Sequence, residues 1–294
     1  MTSVLSTLLS PIVAGCWRMA QWGWTPQERL RWIEQCLELG VSSFDHADIY
    51  GSYTVEALFG EALALAPQLR SRLQLVSKCG IQLVSPQRPQ HRVKAYDSSR
   101  GHIVASVEHS LKALRTDYLD LLLLHRPDPL LDADEVAEAF EALRAAGKVR
   151  HFGVSNYSPA QFELLASRTT LVTNQVECSL LHLAPLHDGS FDHMQRLRLS
   201  PMVWSPLAGG RLFTGDGPTE QRVRAALEGV AREHGCSAAT VAHAWLLRLP
   251  CRPHPIVGSR RIEAMREAVA ALSLRLEAPT WHALWSASTG HPVP

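Results

Sequence analysis

The amino-acid sequence predicts an α/β protein, because short β-type runs alternate with helical segments along most of its length. Eight such runs occur, at 12–15, 41–45, 73–78, 118–125, 149–155, 171–175, 201–205 and 255–259. Their spacing is typical of βαβ units, in which a helix connects two parallel strands. A closed barrel uses about 250 residues plus insertions. The 294 residues therefore predict a (β/α)8 TIM barrel, with 1–294 as a single domain.

The segments between the strands carry helix start and stop signals. The first predicted helix, at 25–39, has Thr25 as a potential N-cap, Pro26 at its first position and Gly40 beyond its end. Further helices are predicted at 54–66, 100–114, 133–146, 159–167, 237–249 and 261–272. Three segments break the alternation, at 85–97, at 206–218 and after Pro279. We interpret them as irregular insertions, of the kind that forms pocket walls at a barrel mouth.

Composition and charge favour small-molecule partners. The chain has 29 basic and 28 acidic side chains, so a net charge of +1 offers no field to gather nucleic acid or an anionic membrane. The apolar run at 119–124 is far too short to cross a membrane, and no Lys or Arg precedes Arg18 to form a signal-peptide n-region. Six scattered cysteines without a C-x-x-C pair indicate reduced thiols. We expect a cytoplasmic monomer.

Three ionisable residues end neighbouring predicted strands, at the barrel end where active sites lie. They are Asp45, Lys78 and His125, and Tyr50 follows in the next loop, where Gly51 permits a turn. Each residue alone has an ordinary structural explanation. Asp45 could cap a loop or helix, and Lys78 could be solvated. His125 could pack in the core, as could the aromatic ring of Tyr50. Together they favour a catalytic group in which Asp45 holds Lys78, and the Lys78 ammonium lowers the pKa of Tyr50.

The four later strands end in residues suited to a nucleotide cofactor. These are Ser155-Asn156, Asn174-Gln175, Trp204-Ser205 and Gly258-Ser259, followed by Arg260 and Arg261. Amide side chains can hold a carboxamide, and Trp204 offers a flat face for a ring. Arginines at a helix start oppose its dipole, which indicates an anion such as a 2′-phosphate and favours NADPH over NADH. A solvated helix start is the alternative for the arginines. The Gly-rich segment 206–217 could wrap the pyrophosphate or form a plain loop.

Motifs along nearly the whole chain point to a known family. They are D-x-x-x-x-Y, K and H at successive strand ends, then GVSN, NQVE, WSPL-x-GG and PIVGS, and this set resembles the aldo-keto reductase superfamily. The longer runs SKCGI, LDLLLLHRPDPL-x-DADEVA, GKVRHFGVSNY-x-PAQF, TNQVE and GGRLF, with the ending P-V-P, are similar to the bacterial YdhF-type oxidoreductases. The resemblance implies reduction of aldehyde or ketone carbonyls by hydride from the nicotinamide. It implies that Tyr50 donates a proton to the carbonyl oxygen, that Lys78 and Asp45 tune Tyr50, and that His125 orients the carbonyl.

The resemblance also implies a set of NADPH contacts. They are Trp17, Ser155, Asn156, Gln175, Trp204, Ser205, Leu207, Gly210, Ser259 and Arg260. The chain departs from many relatives at two places, with Gly258 in place of a lysine and Glu267-Ala268 in place of Glu-Asn. These departures concern the adenine end of the cofactor, and the four catalytic positions are intact.

Other functions compete with this hypothesis. Lys78 could form a Schiff base in an aldolase-like barrel if its pKa were lowered, and a protein of the same fold could be a silent NADPH-binding module that regulates a partner. A metal hydrolase is disfavoured because the first predicted strand has no His-x-His pair. Trp22 and Trp24 could wall a substrate pocket or pack in the core.

Overall fold

A computed structural model describes residues 4–293 and contains a closed barrel of parallel strands, which confirms the predicted fold. The strands in chain order are β1 (Val13–Gly15), β2 (Ser43–Asp45), β3 (Gln74–Cys79), β4 (Ile81–Gln82), β5 (Ala95–Tyr96), β6 (Leu119–Leu124), β7 (Val149–Ser155), β8 (Asn174–Glu177), β9 (Met202–Trp204) and β10 (His254–Val257). The barrel order is β1-β10-β9-β8-β7-β6-β3-β2, and β4 pairs antiparallel with β5 outside it. Residues 1–3 and 294 of the predicted domain lie outside the described part.

Helices surround the barrel. They are α1 (Val4–Leu8), α2 (Pro26–Glu38), α3 (Val55–Leu63), α4 (Arg100–Leu114), α5 (Ala133–Ala145), α6 (Pro159–Ala166), α7 (Ser190–Leu197), α8 (Arg211–Thr214), α9 (Pro218–His234), α10 (Ala238–Leu247), α11 (Ile262–Ala270) and α12 (Ala278–Thr289). Every predicted helix is present within a few residues of its expected ends. Thr25 caps α2 as predicted, because its hydroxyl accepts from the backbone N–H of Glu28 while the Glu28 carboxylate accepts from the N–H of Thr25.

The tail after Pro279 is not irregular, so that prediction was wrong. It forms α12, in which Pro279 occupies the first turn, where a missing N–H costs no hydrogen bond. Trp281 of this helix stacks on Trp245 of α10, with ring centroids 5.0 Å apart and an interplanar angle of 7°. Burial of aromatic surface against a neighbouring helix thus orders a segment whose local pattern predicted no structure.

The other two predicted irregular segments, 85–97 and 206–218, contain more secondary structure than expected. The 206–218 segment holds a short 3-10 turn, Ala208–Gly210, followed by α8. The 85–97 segment is mostly irregular, but its end forms β5 and pairs with β4 directly after the barrel strand β3. Helices α7 and α9 were also missed. In α9, Val223, Leu227 and Ala231 recur at every fourth position on the buried face, a signal present in the sequence.

The core has two parts that together leave one end of the barrel open. Outside the barrel, apolar side chains of the strands pack against those of the surrounding helices. Inside it, Val76, Leu121 and Leu123 form a smaller cluster with Leu5 and Leu9 at the N-terminal side of the barrel. Because α1 and the residues after it cover the end where the strands begin, the end where the strands finish is the one available for a site.

The structure also gives the state of the cysteines and the length and polarity of the helices. All six cysteines are free thiols, and Cys236 is the one that is not fully buried. Among residues 4–293, no helix combines the length and the apolar character needed to cross a membrane.

Candidate active site

Four residues meet at the open end of the barrel as the sequence predicted. The ammonium of Lys78 donates to both carboxylate oxygens of Asp45, at 2.8 and 2.7 Å, to the Tyr50 hydroxyl at 3.0 Å, and to the backbone carbonyl of His46 at 2.7 Å. Asp45 and Lys78 are buried, with 3% and 1% of their surface exposed. Because Lys78 is the donor to Tyr50, the hydroxyl keeps its own proton for another acceptor.

His125 completes the group from the end of β6. Its ring lies beside that of Tyr50, with centroids 6.0 Å apart, and its backbone N–H donates to the carbonyl of Cys79. Burial holds the pKa of His125 well below its usual value, and the positive charges of Lys78, Arg126 and Lys94 lower it further. The imidazole is therefore neutral near neutral pH. Its Nδ1 atom is buried and has no hydrogen-bond partner among the described residues.

The backbone after Asp45 explains how Tyr50 reaches this group. Gly51 has a φ of +56°, and a Cβ added there would lie 2.8 Å from the hydroxyl oxygen of Thr54 and 2.9 Å from the Cβ of Ala20. Glycine is thus required both for the turn and for the close approach. The turn feeds directly into α3, where the N–H of Val55 donates to the carbonyl of Tyr50.

Lys78 lowers the pKa of Tyr50 through its charge and its hydrogen bond, as predicted, but burial has the larger effect. The net result, an increase of the Tyr50 pKa to about 12, is opposite to the expected one. The hydroxyl is therefore fully protonated at neutral pH. Burial alone would lower the pKa of Lys78, but Asp45 and Tyr50 outweigh it and raise the pKa above its usual value. A charged lysine is a poor nucleophile, which argues against the Schiff-base alternative.

The residues expected to hold the nicotinamide form one hydrogen-bonded chain. The indole N–H of Trp204 donates to the Asn156 side-chain oxygen at 3.1 Å, and the Asn156 amide donates to the Ser155 hydroxyl at 2.7 Å. The Ser155 hydroxyl donates to the backbone carbonyl of Gln175, whose side-chain amide donates to Asp45 at 2.8 Å. This chain connects the predicted cofactor residues of β7, β8 and β9 to the carboxylate that holds Lys78.

Two of these strand ends have strained backbones. Asn156 and Ser205 follow β7 and β9 with φ values of +61° and +51°, a region that residues other than glycine rarely adopt. Such strain persists only where the surroundings hold it in place, and it concentrates at functional sites. Both residues stand immediately after a barrel strand.

The remaining predicted cofactor residues lie further out. Leu207 and Gly210 are in the turn after β9, Ser259 and Arg260 follow β10, and Trp17 follows β1 with 56% of its surface exposed. Among the described residues, no hydrogen bond joins them to Asp45, Tyr50, Lys78 or His125. They follow β9, β10 and β1, which are adjacent in the barrel.

Three cations at the mouth were missed by sequence reasoning. Arg18 lies over the ring of Trp17 and donates to the carbonyl of Gly209 at 3.3 Å, which bridges the loops after β1 and β9. Arg126 and Lys94 act electrostatically on His125. Arg126 directly follows the predicted His125, and this adjacency was the available signal. Lys94 stands in the basic 85–97 segment, whose distance from the site the sequence did not reveal.

Of the two tryptophans that could line a substrate pocket or pack in the core, Trp22 packs in the core. It is 9% exposed, and its ring centroid lies 5.1 Å from that of Trp32 and 4.8 Å from that of Trp24. Trp24 is partly buried and lies on the outer side of the barrel wall, in contact with solvent.

The parallel barrel carries this polar group at the end where its strands finish, and the comparison with known families gives its class. Residues 11–288 match the model of the Aldo/keto reductase family, so the chain belongs to that family of carbonyl oxidoreductases, whose members use nicotinamide cofactors. It is 51% identical to oxidoreductase YdhF of Escherichia coli over 97% of this chain and 95% of that protein. It is 49% identical to the uncharacterized oxidoreductase YcsN of Bacillus subtilis, covering 97% and 96% of the two chains.

A further relative is named for a specific activity. The chain is 45% identical to a 6-dehydroglucose reductase of Agrobacterium fabrum, over 97% of this chain and 96% of that protein. Among solved structures, the thermostable aldo-keto reductase Tm1743, in complex with the inhibitor epalrestat, superposes with a TM-score of 0.79 at 26% identity, covering 95% of each chain. A glycerol dehydrogenase from Gluconobacter oxydans superposes with a TM-score of 0.84 at 23% identity, which supports the fold.

Proposed function

We propose that this protein reduces aldehyde or ketone carbonyls with NADPH and that Tyr50 is the proton donor. One observation carries the proposal: Lys78 donates a hydrogen bond to the Tyr50 hydroxyl from a buried position in which Asp45 neutralises it. This arrangement leaves the Tyr50 proton directed to a third group. A general acid must hold its proton at the working pH, and the raised pKa of Tyr50 meets that condition.

Each of the four residues then has a distinct task. Tyr50 donates its proton to the carbonyl oxygen as negative charge develops there, and the Lys78 ammonium stabilises the phenolate that remains. Asp45 keeps Lys78 charged and in place. His125, neutral and adjacent to Tyr50, donates a hydrogen bond to the same carbonyl oxygen and so orients it.

The residues along the rim fit a nicotinamide dinucleotide. The side-chain N–H of Gln175 donates to Asp45, and no described residue donates to the side-chain oxygen of Gln175. This oxygen can therefore accept a hydrogen bond from the N–H of a carboxamide. With Ser155 and Asn156 it would hold the carboxamide, while Trp204 would stack on the ring. Ser205, Leu207, Gly210, Ser259, Arg260 and Trp17 would hold the phosphates and riboses. When bound, NADPH supplies the hydride.

Oxygen-rich aldehydes are the substrates that we propose to test first. The name of the 6-dehydroglucose reductase relative describes a substrate of this kind. Lys94 and Arg126 act electrostatically on His125, and Arg126 also donates to the His125 carbonyl and lies over the Trp204 ring, 5.8 Å from its centroid. Their positive charges would favour substrate oxygens. Apolar aldehydes of equal length would leave these charges unmatched and should react less efficiently.

Replacement of Tyr50 by Phe tests the proton-donor role. Loss of a positioned general acid lowers turnover by about 10²- to 10⁴-fold, while NADPH binding should stay within twofold of wild type, or about 0.4 kcal/mol. Tyr96→Phe is the matched control, because Tyr96 is 40% exposed and lies outside the group. Turnover is followed by the loss of NADPH absorbance, and binding by calorimetry. Unchanged turnover in Tyr50→Phe refutes the role, and NADPH binding without reduction of any carbonyl supports a silent binding module instead.

We further propose that the chain acts as a single-domain monomer in the cytoplasm. The buried and reduced cysteines support this compartment, because an oxidising one favours disulfides. Size-exclusion chromatography with light scattering tests the monomer. A mass near 32.5 kDa is expected, and a mass near twice that value contradicts it.

A further inference from the structure

The segment after β3 forms a flap, defined here as residues 81–96. Strands β4 and β5 pair at its base, and residues 83–94 between them form its tip. Apolar packing does not hold the tip, since Val84 and Val93 are 54% and 68% exposed and Ser85 is its one buried residue. A segment with so few buried apolar contacts opens easily unless polar contacts hold it in place.

The flap lies beside the catalytic group. It begins three residues after Lys78. Just beyond its end, the Ser98 hydroxyl donates at 3.0 Å to Asp128, which stands three residues after His125. The charge of Lys94, in the tip, also lowers the pKa of His125. The position of the tip therefore affects the surroundings of His125.

One side chain of the barrel, Tyr53, makes most of the contacts that hold the tip. Its hydroxyl accepts from the backbone N–H of Leu83 at 2.8 Å and lies 3.4 Å from the Nδ1 atom of His91. The guanidinium of Arg88 lies over the Tyr53 ring, 4.6 Å from its centroid. Tyr53 thus contacts the tip near its start, in its middle and near its end.

Tyr53 belongs to the turn that carries Tyr50. Gly51, Ser52 and Tyr53 have φ values of +56°, +56° and +70°, and such backbone is strained for residues other than glycine. The carbonyl of Ser52 accepts from the Ser85 hydroxyl at 3.3 Å, which is the one hydrogen bond from the tip to the rest of the described chain besides those to Tyr53. Strained backbone persists where its surroundings hold it. The tip and this turn therefore stabilise each other.

We propose that Tyr53 is a positioning residue, which docks the tip on the turn of the proton donor and thereby fixes the wall of the substrate pocket beside His125. The inference rests on the proposed function, because it assigns Tyr53 a task in carbonyl reduction. Tyr50 has support of its own, from Lys78 and from the N–H of Val55. Loss of docking should therefore weaken the binding of a substrate that reaches the tip, and should affect turnover and short substrates much less.

Replacement of Tyr53 by Phe tests this role, because it removes the hydroxyl and keeps the ring beside Arg88. Loss of one hydrogen bond should speed hydrogen exchange of the tip amides about tenfold, measured by mass spectrometry. The KM of hexanal should rise about tenfold, while the KM of propanal and the affinity for NADPH stay within about twofold. The kcat for both aldehydes should stay within about threefold of wild type.

Tyr96→Phe is the matched control. It makes the same substitution at the base of the same flap, where the Tyr96 hydroxyl has no hydrogen bond among residues 4–293 and the side chain is exposed. Tip exchange and both KM values should equal those of wild type in this variant.

The outcomes separate this inference from the proposed function. If the wild type reduces both aldehydes and Tyr53→Phe changes neither tip exchange nor the KM of hexanal, the positioning role is refuted while carbonyl reduction stands. Faster tip exchange with unchanged KM values gives Tyr53 a structural role only and also refutes the inference. An equal rise of both KM values, or faster exchange throughout the barrel with a lower melting temperature, shows general damage and has the same consequence. If the wild type reduces no carbonyl, the proposed function is overturned together with the substrate role of Tyr53, even where tip exchange confirms the docking.

Discussion

Replacement of Lys78 by Met separates the structural from the catalytic role of the buried ion pair. The Lys78 and Asp45 side chains are 0% and 4% exposed, and their closest atoms are 2.7 Å apart. Removing one partner of such a pair leaves a buried charge, which costs about 3–5 kcal/mol of unfolding free energy. Asp45 keeps one side-chain hydrogen bond, from Gln175. With a stability of about 5–15 kcal/mol, typical of folded proteins, the variant should still fold.

A second substitution makes the reasoning testable. In Lys78→Met with Asp45→Leu no buried charge remains, so stability should recover by about 2 kcal/mol, limited by the Gln175 amide that loses its acceptor. Activity should stay at least about 100-fold below wild type in both variants, because the charge beside Tyr50 is gone.

Urea denaturation measures stability, and loss of NADPH absorbance with an aldehyde measures activity. Lys112→Met, an exposed position on α4, is the control for removal of a surface lysine. The reasoning fails if Lys78→Met is as stable as wild type, or if the double variant recovers activity together with stability.

Three further substitutions have defined outcomes. Burial raises the pKa of Glu56 to about 7 from 4.5, so the folded state binds more protons than the unfolded chain, and stability falls as pH rises between these values. Glu56→Gln should remove the Glu56 part of that dependence, leaving the part due to buried Asp48, whose pKa is also raised, and should raise stability above pH 7 by up to about 3 kcal/mol in urea titrations. A Cβ at Gly60 would lie 2.0 Å from the carbonyl oxygen of Ala113, so Gly60→Ala should lower stability by about 1–3 kcal/mol in calorimetry. Asp120, 2% exposed, accepts from Arg70, Arg150 and the N–H of Leu75, so Asp120→Ala should cost about 3–5 kcal/mol in urea titrations.

Each of these has a contradicting result. A stability of Glu56→Gln that still falls between pH 4.5 and 7 as in wild type would assign the dependence to another group. A Gly60→Ala protein with an unchanged melting temperature would mean that α3 and α4 can separate without cost. For Asp120→Ala, a loss below about 1 kcal/mol would show that solvent replaces the three hydrogen bonds.

The sequence predicted the eight barrel strands, most helices and the meeting of Asp45, Tyr50, Lys78 and His125, but not the β4–β5 pair. Those predictions depend on local patterns, since apolar runs set the strands and a parallel barrel brings all strand ends to one rim. Helix α12 was missed because its order depends on stacking between Trp281 and Trp245, which are far apart in the chain. The direction of the Tyr50 pKa shift was missed because it depends on burial, which a sequence does not state.

By itself, then, the sequence determined the barrel and which residue types stand at its strand ends, because periodicity and spacing are local properties. Only the tertiary structure decided the balance of charge and desolvation around Tyr50, the effect of Lys94 on the pKa of His125, and the hydrogen-bonded chain from Trp204 to Asp45. These features join residues that are distant in the chain, and electrostatic and desolvation energies depend on distance and burial in three dimensions.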